Sequence, residues 1–478
     1  MAYRDLREFL GRLEAEGELR RVAVEVAPEL EITEITDRIC RSGGPALLFE
    51  KVKGSSMPVV TNTFGSYRRM ALALGVETIE DVAGEIRRLL TPPKLSGLFD
   101  KLRAVAQLIE LAKFPPKTVG SGACQEEILE PDLDLLPILK CWPGDAGRFI
   151  TLGVTFTRDP DTGIQNAGLY RLQVFDRRTT GMHWHPHHDG AECYRRYRAA
   201  AKRMEVAVAF GGDPAITYAA SAPMPYGFDE MLFAGFLRRK PVEMVKCRTV
   251  ELFVPAEAEI VLEGYVEPGE LRPEGPFGDH TGYYSPCDQY PVFHVSAMTA
   301  RRNPIYPATV VGKPPKEDCY LGKATERIFL PFIQMQLPEI VDLNLPLFGI
   351  FHNFAFVSIR KRYPYQARKV MHALWGLGQL ALTKFIIVVD EEVDVQSTEE
   401  VLWRVGSNVD PARDIEIVRG PLDVLDHATP TLGAGGKLGL DATRKFPEEG
   451  HPRGWPAEIA MPDEIKALVT RRWSDYGL

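Results

Sequence analysis

The sequence predicts a mixed α+β protein: an N-terminal α/β unit, a central unit dominated by antiparallel strands, and a C-terminal α/β unit. Three observations carry this. Strand-like runs separated by turn residues follow one another from about residue 128 to 308, whereas both flanks mix strand and helix patterns. Proline-centred breaks, Phe114-Pro115-Pro116-Lys117 and Lys313-Pro314-Pro315-Lys316, bracket that region. At 478 residues, 45% hydrophobic and 26% charged, the chain is long enough for two or three well-filled cores. The expected domains are 1–117, 118–312 and 313–478.

In the first unit, Asp5 caps a helix whose Leu6, Phe9, Leu10 and Leu13 share one face and which Gly17 ends. Arg21–Val26 alternates as a strand, and helices are expected over Val82–Leu90 and Lys94–Lys113. In the central unit the predicted strands are Phe149–Thr157, Asn166–Phe175, Glu205–Phe210, Val242–Val254, Ile260–Glu267 and Val292–Thr299, which an antiparallel sheet or barrel would join. In the last unit, strands Ala355–Ile359 and Phe385–Val389 alternate with helices Gln366–Leu380 and Thr398–Val405, the second opened by the capping-box spacing Ser397–Glu400. The glycine-rich stretch Leu432–Leu440 and a helix near Asp463–Trp473 close the chain, and a terminal helix with an apolar face is a natural subunit contact.

Composition excludes several classes. The net charge of −8, with no basic block, argues against nucleic acid as a partner. The charged start Met1–Phe9 is no signal peptide, and no apolar run reaches transmembrane length. Seven scattered cysteines, never in a C-x-x-C pair, point to a reducing compartment without a disulfide framework or thiolate zinc site. The expected location is cytoplasmic.

Four stretches carry chemistry. In Pro273-Glu274-Gly275-Pro276-Phe277-Gly278-Asp279-His280-Thr281-Gly282-Tyr283-Tyr284, glycine and proline hold two carboxylates five positions apart without a helix. Gly, Pro and Asp are also common turn residues. Acids held close push their pKa values apart, so that one stays protonated near neutrality, as proton transfer requires. In Asn166-Ala167-Gly168-Leu169-Tyr170-Arg171-Leu172-Gln173, Gly168 permits close approach of a ligand and Arg171 can clamp a carboxylate or phosphate; alone, such an arginine is more often solvated. Met182–Asp189 holds four of the ten histidines; if extended, His183, His185 and His187 face one way. An all-histidine set would suit zinc, and a mixed N/O set Mn²⁺ or Mg²⁺. Glu230 opens a helix after a turn, where the helix dipole alone accounts for an acid. The glycines at 433–439 have neither dinucleotide-binding nor Walker A spacing.

Together these stretches resemble the UbiD family of decarboxylases over most of the chain. The resemblance runs through Trp142-Pro143, Gly147-Arg148-Phe149-Ile150-Thr151-Leu152-Gly153, Asn166-x-Gly168-x-Tyr170-Arg171, His187-x-Asp189-Gly190-Ala191, Val245-Lys246-Cys247 and the Pro273–Tyr284 stretch. Thr383–Asp390, Asp410–Asp414 and Gly439–Thr443 look closest to the 4-hydroxy-3-polyprenylbenzoate decarboxylases of ubiquinone biosynthesis. The resemblance implies a flavin-reductase-like split barrel as the central, cofactor-binding domain and a C-terminal domain that also serves oligomerisation. It implies prenylated FMN as cofactor, because losing CO₂ from a ring carbon leaves charge that no side chain can delocalise. It further implies Mn²⁺ or another divalent ion on the cofactor phosphate, with K⁺ nearby.

Carried over residue by residue, Asn166, His187 and Glu230 are the metal ligands, and Arg171, Glu274 and Asp279 the catalytic triad. Arg171 would orient the substrate carboxylate, Asp279 deliver the proton that replaces CO₂, and Glu274 tune or relay. Leu169, Tyr170, His183, Trp184, His185, His188, Asp189, Pro223 and Lys384 join Asn166 and Arg171 as expected cofactor contacts. His183 and His188 depart from the family pattern, in which basic residues are usual, so a cation at either position would depend on pH. The implied reaction is non-oxidative, reversible decarboxylation of a phenolic acid, with a flavin prenyltransferase as cofactor source. A polyprenylated substrate would call for an aromatic pocket, to which Phe277, Phe348, Phe351 and Phe354 are candidates, and for peripheral membrane contact. A naphthoate of menaquinone synthesis or a small hydroxybenzoate is the alternative substrate, and a non-catalytic flavin- or zinc-binding protein the remote one. Relatives form homodimers or homohexamers.

Overall fold

The computed structural model describes residues 2–90, 113–186 and 188–477. The helix expected over Lys94–Lys113 lies, but for its last residue, outside the described residues, as does His187.

The first helix is Leu6–Ala15: Asp5 accepts the Glu8 amide as N-cap, and Leu6, Phe9, Leu10 and Leu13 are buried. It precedes a small sheet in which Leu19–Val26 and Ala46–Val52 run parallel and Val59–Thr61 pairs antiparallel to the latter. Tyr306–Pro307 returns from far along the chain to pair with Val59–Val60. The N-terminal sheet is therefore completed by a segment placed with the central unit on sequence grounds.

The centre is a nine-stranded sheet among the described residues, every pairing antiparallel, curled into a half-barrel. Its spine is the hairpin of Ile260–Glu274 and Asp288–Ala300, followed on one side by Met204–Phe210 and Val154–Arg158. Within Met204–Phe210, Val206–Phe210 reads as an unbroken apolar run because both faces are covered. Ala207 and Ala209 face one core, with Phe156, Tyr218 and Phe233; Val206, Val208 and Phe210 face another, with Leu262, Phe293 and Met298. Each such large side chain, fully buried, contributes about 1.5–3 kcal/mol.

Three predicted strands are broken where the chain must bend. Phe149–Thr157 divides into Phe149–Ile150 and Val154–Arg158; a Cβ on Gly153 would lie 2.7 Å from Val208 Cγ1, so this bend is pressed onto the neighbouring strand. Asn166–Phe175 divides into Gln165–Leu169 and Leu172–Val174, which leaves Tyr170 and Arg171 between strands. Val242–Val254 is a short hairpin, Glu243–Lys246 with Phe253–Pro255.

The C-terminal unit is a five-stranded mixed sheet in which Phe354–Ile359, Phe385–Asp390 and Ala434–Asp441 run parallel. The glycine-rich stretch is thus an inner strand, because Gly439 lies under Met371 and Trp375 with no room for a Cβ. Helix Gln366–Leu374 stops short of its expected end, and the short turn Gly378–Leu382 follows from Gly378 at φ +49°. Thr398–Asn408 begins on Ser397, whose hydroxyl accepts the Glu400 amide. The last helix, Asp463–Arg471, buries none of its residues. No described helix is long and apolar enough to cross a membrane.

The central hairpin shifts register between Glu263 and Gly264, where a Cβ on Gly264 would sit 1.8 Å from the His294 carbonyl oxygen. Gly264→Ala should therefore cost about 3 kcal/mol in urea unfolding, against a few tenths for alanine at the open Gly454.

Candidate active site

The tip of that hairpin carries the acidic loop. Glu274 is the last residue of one strand, paired with Asp288, and residues 275–287 bridge to the next. Gly275, at φ +94°, turns the chain, and its amide donates to Gln173 Oε1 at 2.7 Å. Asp145 then fastens the loop from the side, accepting the Gly278 amide at 2.7 Å and the Trp142 amide at 2.8 Å. A Cβ on Gly278 would meet the Trp142 ring at 2.2 Å. The Trp142–Gly153 stretch thus acts as a clamp on the loop.

Arg171 is brought to the loop by the break between its two strands. Its Nε and Nη2 donate to the two oxygens of Glu274 at 2.9 and 3.0 Å, Nη2 also donates to Ser285 Oγ at 3.1 Å, and Nη1 pairs with Asp279. The guanidinium lies 4.7 Å from the centre of the Phe277 ring. Glu274 further accepts from His183 Nδ1 at 2.9 Å, and Asp279 Oδ1 faces His280 Nδ1 at 3.1 Å. Arg171, Glu274, Asp279 and His183 are all buried.

The electrostatics differ from the sequence expectation of one protonated acid. Burial opposes the charge on Asp279, but the His280 hydrogen bond and the Arg171 charge hold its carboxyl below the usual range. Burial likewise opposes ionised Glu274, and His183 and Arg171 outweigh it. The cation between the acids cancels the repulsion that would have separated them. His183 is pushed down by burial and by Arg171, so it is neutral where the family pattern has a cation. His280 is pushed up to about 9: burial opposes its charge, and Asp279 and Asp423 prevail.

Along the same cavity, Glu230 opens helix Glu230–Arg238, but it faces inward rather than serving the helix dipole. Its oxygens accept Asn166 Nδ2 and the Ala167 amide, both at 2.9 Å. Burial pushes its carboxyl up to about 8. Asn166 Oδ1 is buried with no hydrogen-bond partner. An orphaned amide oxygen beside a desolvated carboxylate fits a hard cation. The third expected ligand, His187, lies outside the described residues.

The cavity, about 460 Å³, is lined by Asn166, Leu169, Tyr170, Arg171, His183, His185, His188, Asp189, Pro223, Glu230 and Asp279 among others. Glu274 sits behind Arg171, and two expected cofactor contacts also stay outside the lining. Trp184 is buried against Tyr170 and Tyr194, and Lys384 Nζ is 2.7 Å from Asp426. Of the four phenylalanines, Phe277 and Phe351 line the cavity, while Phe348 is 76% exposed. Sequence reading missed His352, Asp318 and Asp423, which line the cavity from the C-terminal unit. They stand in no recognisable spacing with the loop, and only folding brings them together.

Three family profiles match the chain. They are described as the N-terminal, Rift-related and C-terminal domains of 3-octaprenyl-4-hydroxybenzoate carboxy-lyase, at residues 10–89, 117–314 and 319–442. An uncharacterized protein of Archaeoglobus fulgidus is 55% identical over 479 residues, covering 99% of each chain. Among solved structures, the UbiD-class enzyme HmfF from Pelotomaculum thermopropionicum, in complex with FMN, is 33% identical. It covers 97% of this chain and 99% of its own, with a TM-score of 0.81. The vanillic acid decarboxylase of Sedimentibacter hydroxybenzoicus in closed form is 31% identical, covers 100% and 98%, and has a TM-score of 0.85.

If Asn166 and Glu230 hold a divalent ion, Mn²⁺ at a hundredfold excess over its dissociation constant should stabilise the protein by about 2.7 kcal/mol. Glu230→Gln should abolish that gain without lowering the metal-free melting temperature, which scanning calorimetry with and without Mn²⁺ would check.

Proposed function

The chain belongs to the UbiD family of carboxy-lyases, and from that premise we propose that it decarboxylates a hydroxylated aryl acid non-oxidatively and reversibly, with prenylated FMN as cofactor. Fold and family are those of a UbiD-type aromatic acid decarboxylase. The observation that carries the proposal is the buried guanidinium of Arg171 held between two carboxylates on the wall of a cavity of ligand size.

When bound, the cofactor supplies the electron sink that loss of CO₂ from a ring carbon requires. Leu169, Tyr170, His185, His188, Asp189 and Pro223 line the space it needs, and Asn166 and Glu230 would hold its phosphate through Mn²⁺ or another divalent ion, with K⁺ nearby. Arg171 receives the substrate carboxylate. Two of its nitrogens are committed to Glu274, which His183 also fixes, so the incoming anion competes with Asp279 for the third. Losing part of that charge, Asp279 takes up a proton. It then gives the proton to the ring carbon from which CO₂ has departed, the bonding pair having stayed with the carbon. Glu274 remains ionised and keeps Arg171 in place.

For the substrate, the favoured reading is 4-hydroxy-3-polyprenylbenzoate of ubiquinone biosynthesis, supported by the apolar wall of Leu321, Leu345, Phe351, Leu382 and Leu425. The second reading is a naphthoate or a small hydroxybenzoate, which the likeness to a vanillic acid decarboxylase favours. The terminal segment, with Ile459, Met461, Leu468 and Trp473 exposed, supports a homodimer or homohexamer.

Reconstituted protein should release CO₂ from at least one acid of a panel holding a prenylated 4-hydroxybenzoate, a hydroxynaphthoate, 4-hydroxybenzoate and vanillate; silence on all of them refutes the proposal. Glu274→Gln and Asp279→Asn should each keep the flavin absorbance and lose about 10²–10⁴-fold in turnover. Because Asp279 passes from a lowered pKa in the free protein to a raised one in the complex, binding of a non-reacting aryl carboxylate should take up a proton. Its affinity should then weaken as pH rises, by up to about tenfold per unit. Calorimetry in two buffers of different ionisation enthalpy measures that uptake.

A further inference from the structure

His280, His352 and Asp423 come from three separate parts of the chain. His280 follows the catalytic loop's Asp279, His352 sits in the short turn before strand Phe354–Ile359, and Asp423 follows strand Ile415–Pro421. All three line the cavity, and one nitrogen or oxygen of each lies within 4.8 Å of the other two.

His352 Nε2 is 2.9 Å from Asp423 Oδ2 and His280 Nε2 is 3.8 Å from the same atom. Both ring nitrogens are buried, so three potential ligand atoms are gathered on one part of the cavity wall.

The outer partners have the matching pattern. His280 turns its other nitrogen to Asp279 Oδ1 at 3.1 Å, and Asp423 Oδ1 accepts the Leu425 amide at 2.8 Å. A second-row carboxylate behind a ligating imidazole fixes its tautomer and raises its basicity. Asp318 Oδ2, also buried and without a hydrogen-bond partner, lines the same cavity.

We propose that His280, His352 and Asp423 bind a second divalent transition-metal ion, distinct from the ion at Asn166 and Glu230, with its remaining positions open to the cavity. Two imidazoles and one carboxylate suit Zn²⁺, Fe²⁺, Co²⁺ or Mn²⁺ rather than Ca²⁺ or Mg²⁺, and three protein ligands leave room for an oxygen from the cavity. The ion takes the place of the proton on His280. On the reading of the chain as an aryl-acid decarboxylase, that oxygen is a ring hydroxyl, so the site selects hydroxylated acids. Only this last step rests on that reading.

Co²⁺ reports the site directly, since tetrahedral Co²⁺ with nitrogen ligands absorbs in the visible. The full-length chain, stripped with chelator, is titrated with Co²⁺ while bound metal is counted by mass spectrometry. Wild type should bind one more equivalent than Asp423→Asn and His352→Gln, or bind it at least tenfold more tightly, and Glu230→Gln should retain the visible band. Circular dichroism confirms that each variant is folded, and the two variants at different ligands replace each other should one fail to fold. Equal stoichiometry and affinity in wild type and both variants would overturn the site and leave the ion pair as a plain link between the two units. Addition of 4-hydroxybenzoate should shift the band. An unchanged band with cobalt bound rejects the ring-hydroxyl ligand alone, while absence of CO₂ release bears on the decarboxylase reading alone.

Discussion

The site depends on one guanidinium shared by two acids. Arg171, Glu274 and Asp279 are all buried, and a buried charge is tolerated only when its partners are in place. Two acids on one cation leave an excess negative charge, which His280 offsets from the far side of Asp279. Loss of any member would leave an uncompensated charge, at a cost of about 3–5 kcal/mol. The same shortage of positive charge makes the arrangement responsive: a carboxylate entering the cavity must take its share of Arg171 from one of the acids already there.

The surrounding fold keeps that competition one-sided. Glu274 belongs to a strand, is bonded to Arg171 twice and to His183 once, and its side chain lies against Gly181, where a Cβ would come within 3.1 Å of its Cγ. Asp279 belongs to the loop and holds Arg171 through a single nitrogen. On the proposed reaction, the asymmetry between strand and loop would decide which acid yields, and so which one can move a proton. Asp145, Gln173 and Ser285 fix the loop through backbone amides, so Asp279 would yield its charge without yielding its place.

Local signals were legible where local physics decides. The Asp5 cap and the Leu6–Leu13 face describe the first helix to within a residue or two, and Ser397 opens its helix as the spacing requires. Runs such as Asn166–Phe175 were legible as strand but not as broken strand, because the break at Tyr170 and Arg171 goes with the Tyr170 ring folding back over Gly168, where a Cβ would lie 2.3 Å from its hydroxyl, a contact no local pattern announces. The inner strand Ala434–Asp441 was hidden by its glycines, whose use lies in the close approach of Met371 and Trp375. Of the residues named on motifs with family resemblance, Asn166, Arg171, Glu230 and Asp279 line the cavity, whereas Trp184 packs behind the lining Tyr170 and Lys384 pairs with Asp426. The protonation of the acids could not be read without knowing that Arg171 sits between them. His352 and Asp423 were invisible because no spacing links them to Asp279.

The charge on the cavity wall gives these pieces a common logic. Among the described lining residues Arg171 is the only lysine or arginine, against the acids Asp189, Glu230, Asp279, Asp318 and Asp423. Where ionised, these acids would repel a phosphate or carboxylate ligand, at a Coulomb cost of about 4 kcal/mol for each like pair 4 Å apart near a protein surface. Two remedies are compatible with the fold: protonating the acids, as burial does to Glu230 in the absence of an ion, or adding cations. Protonation removes repulsion but supplies no attraction, whereas the proposed divalent ion at Asn166 and Glu230 would turn an acidic end of the cavity into a phosphate receptor. On the proposed reading, the acidity of the wall would be a requirement of metal-mediated binding rather than an obstacle to it, and the neutral His183 would leave that task to the ion.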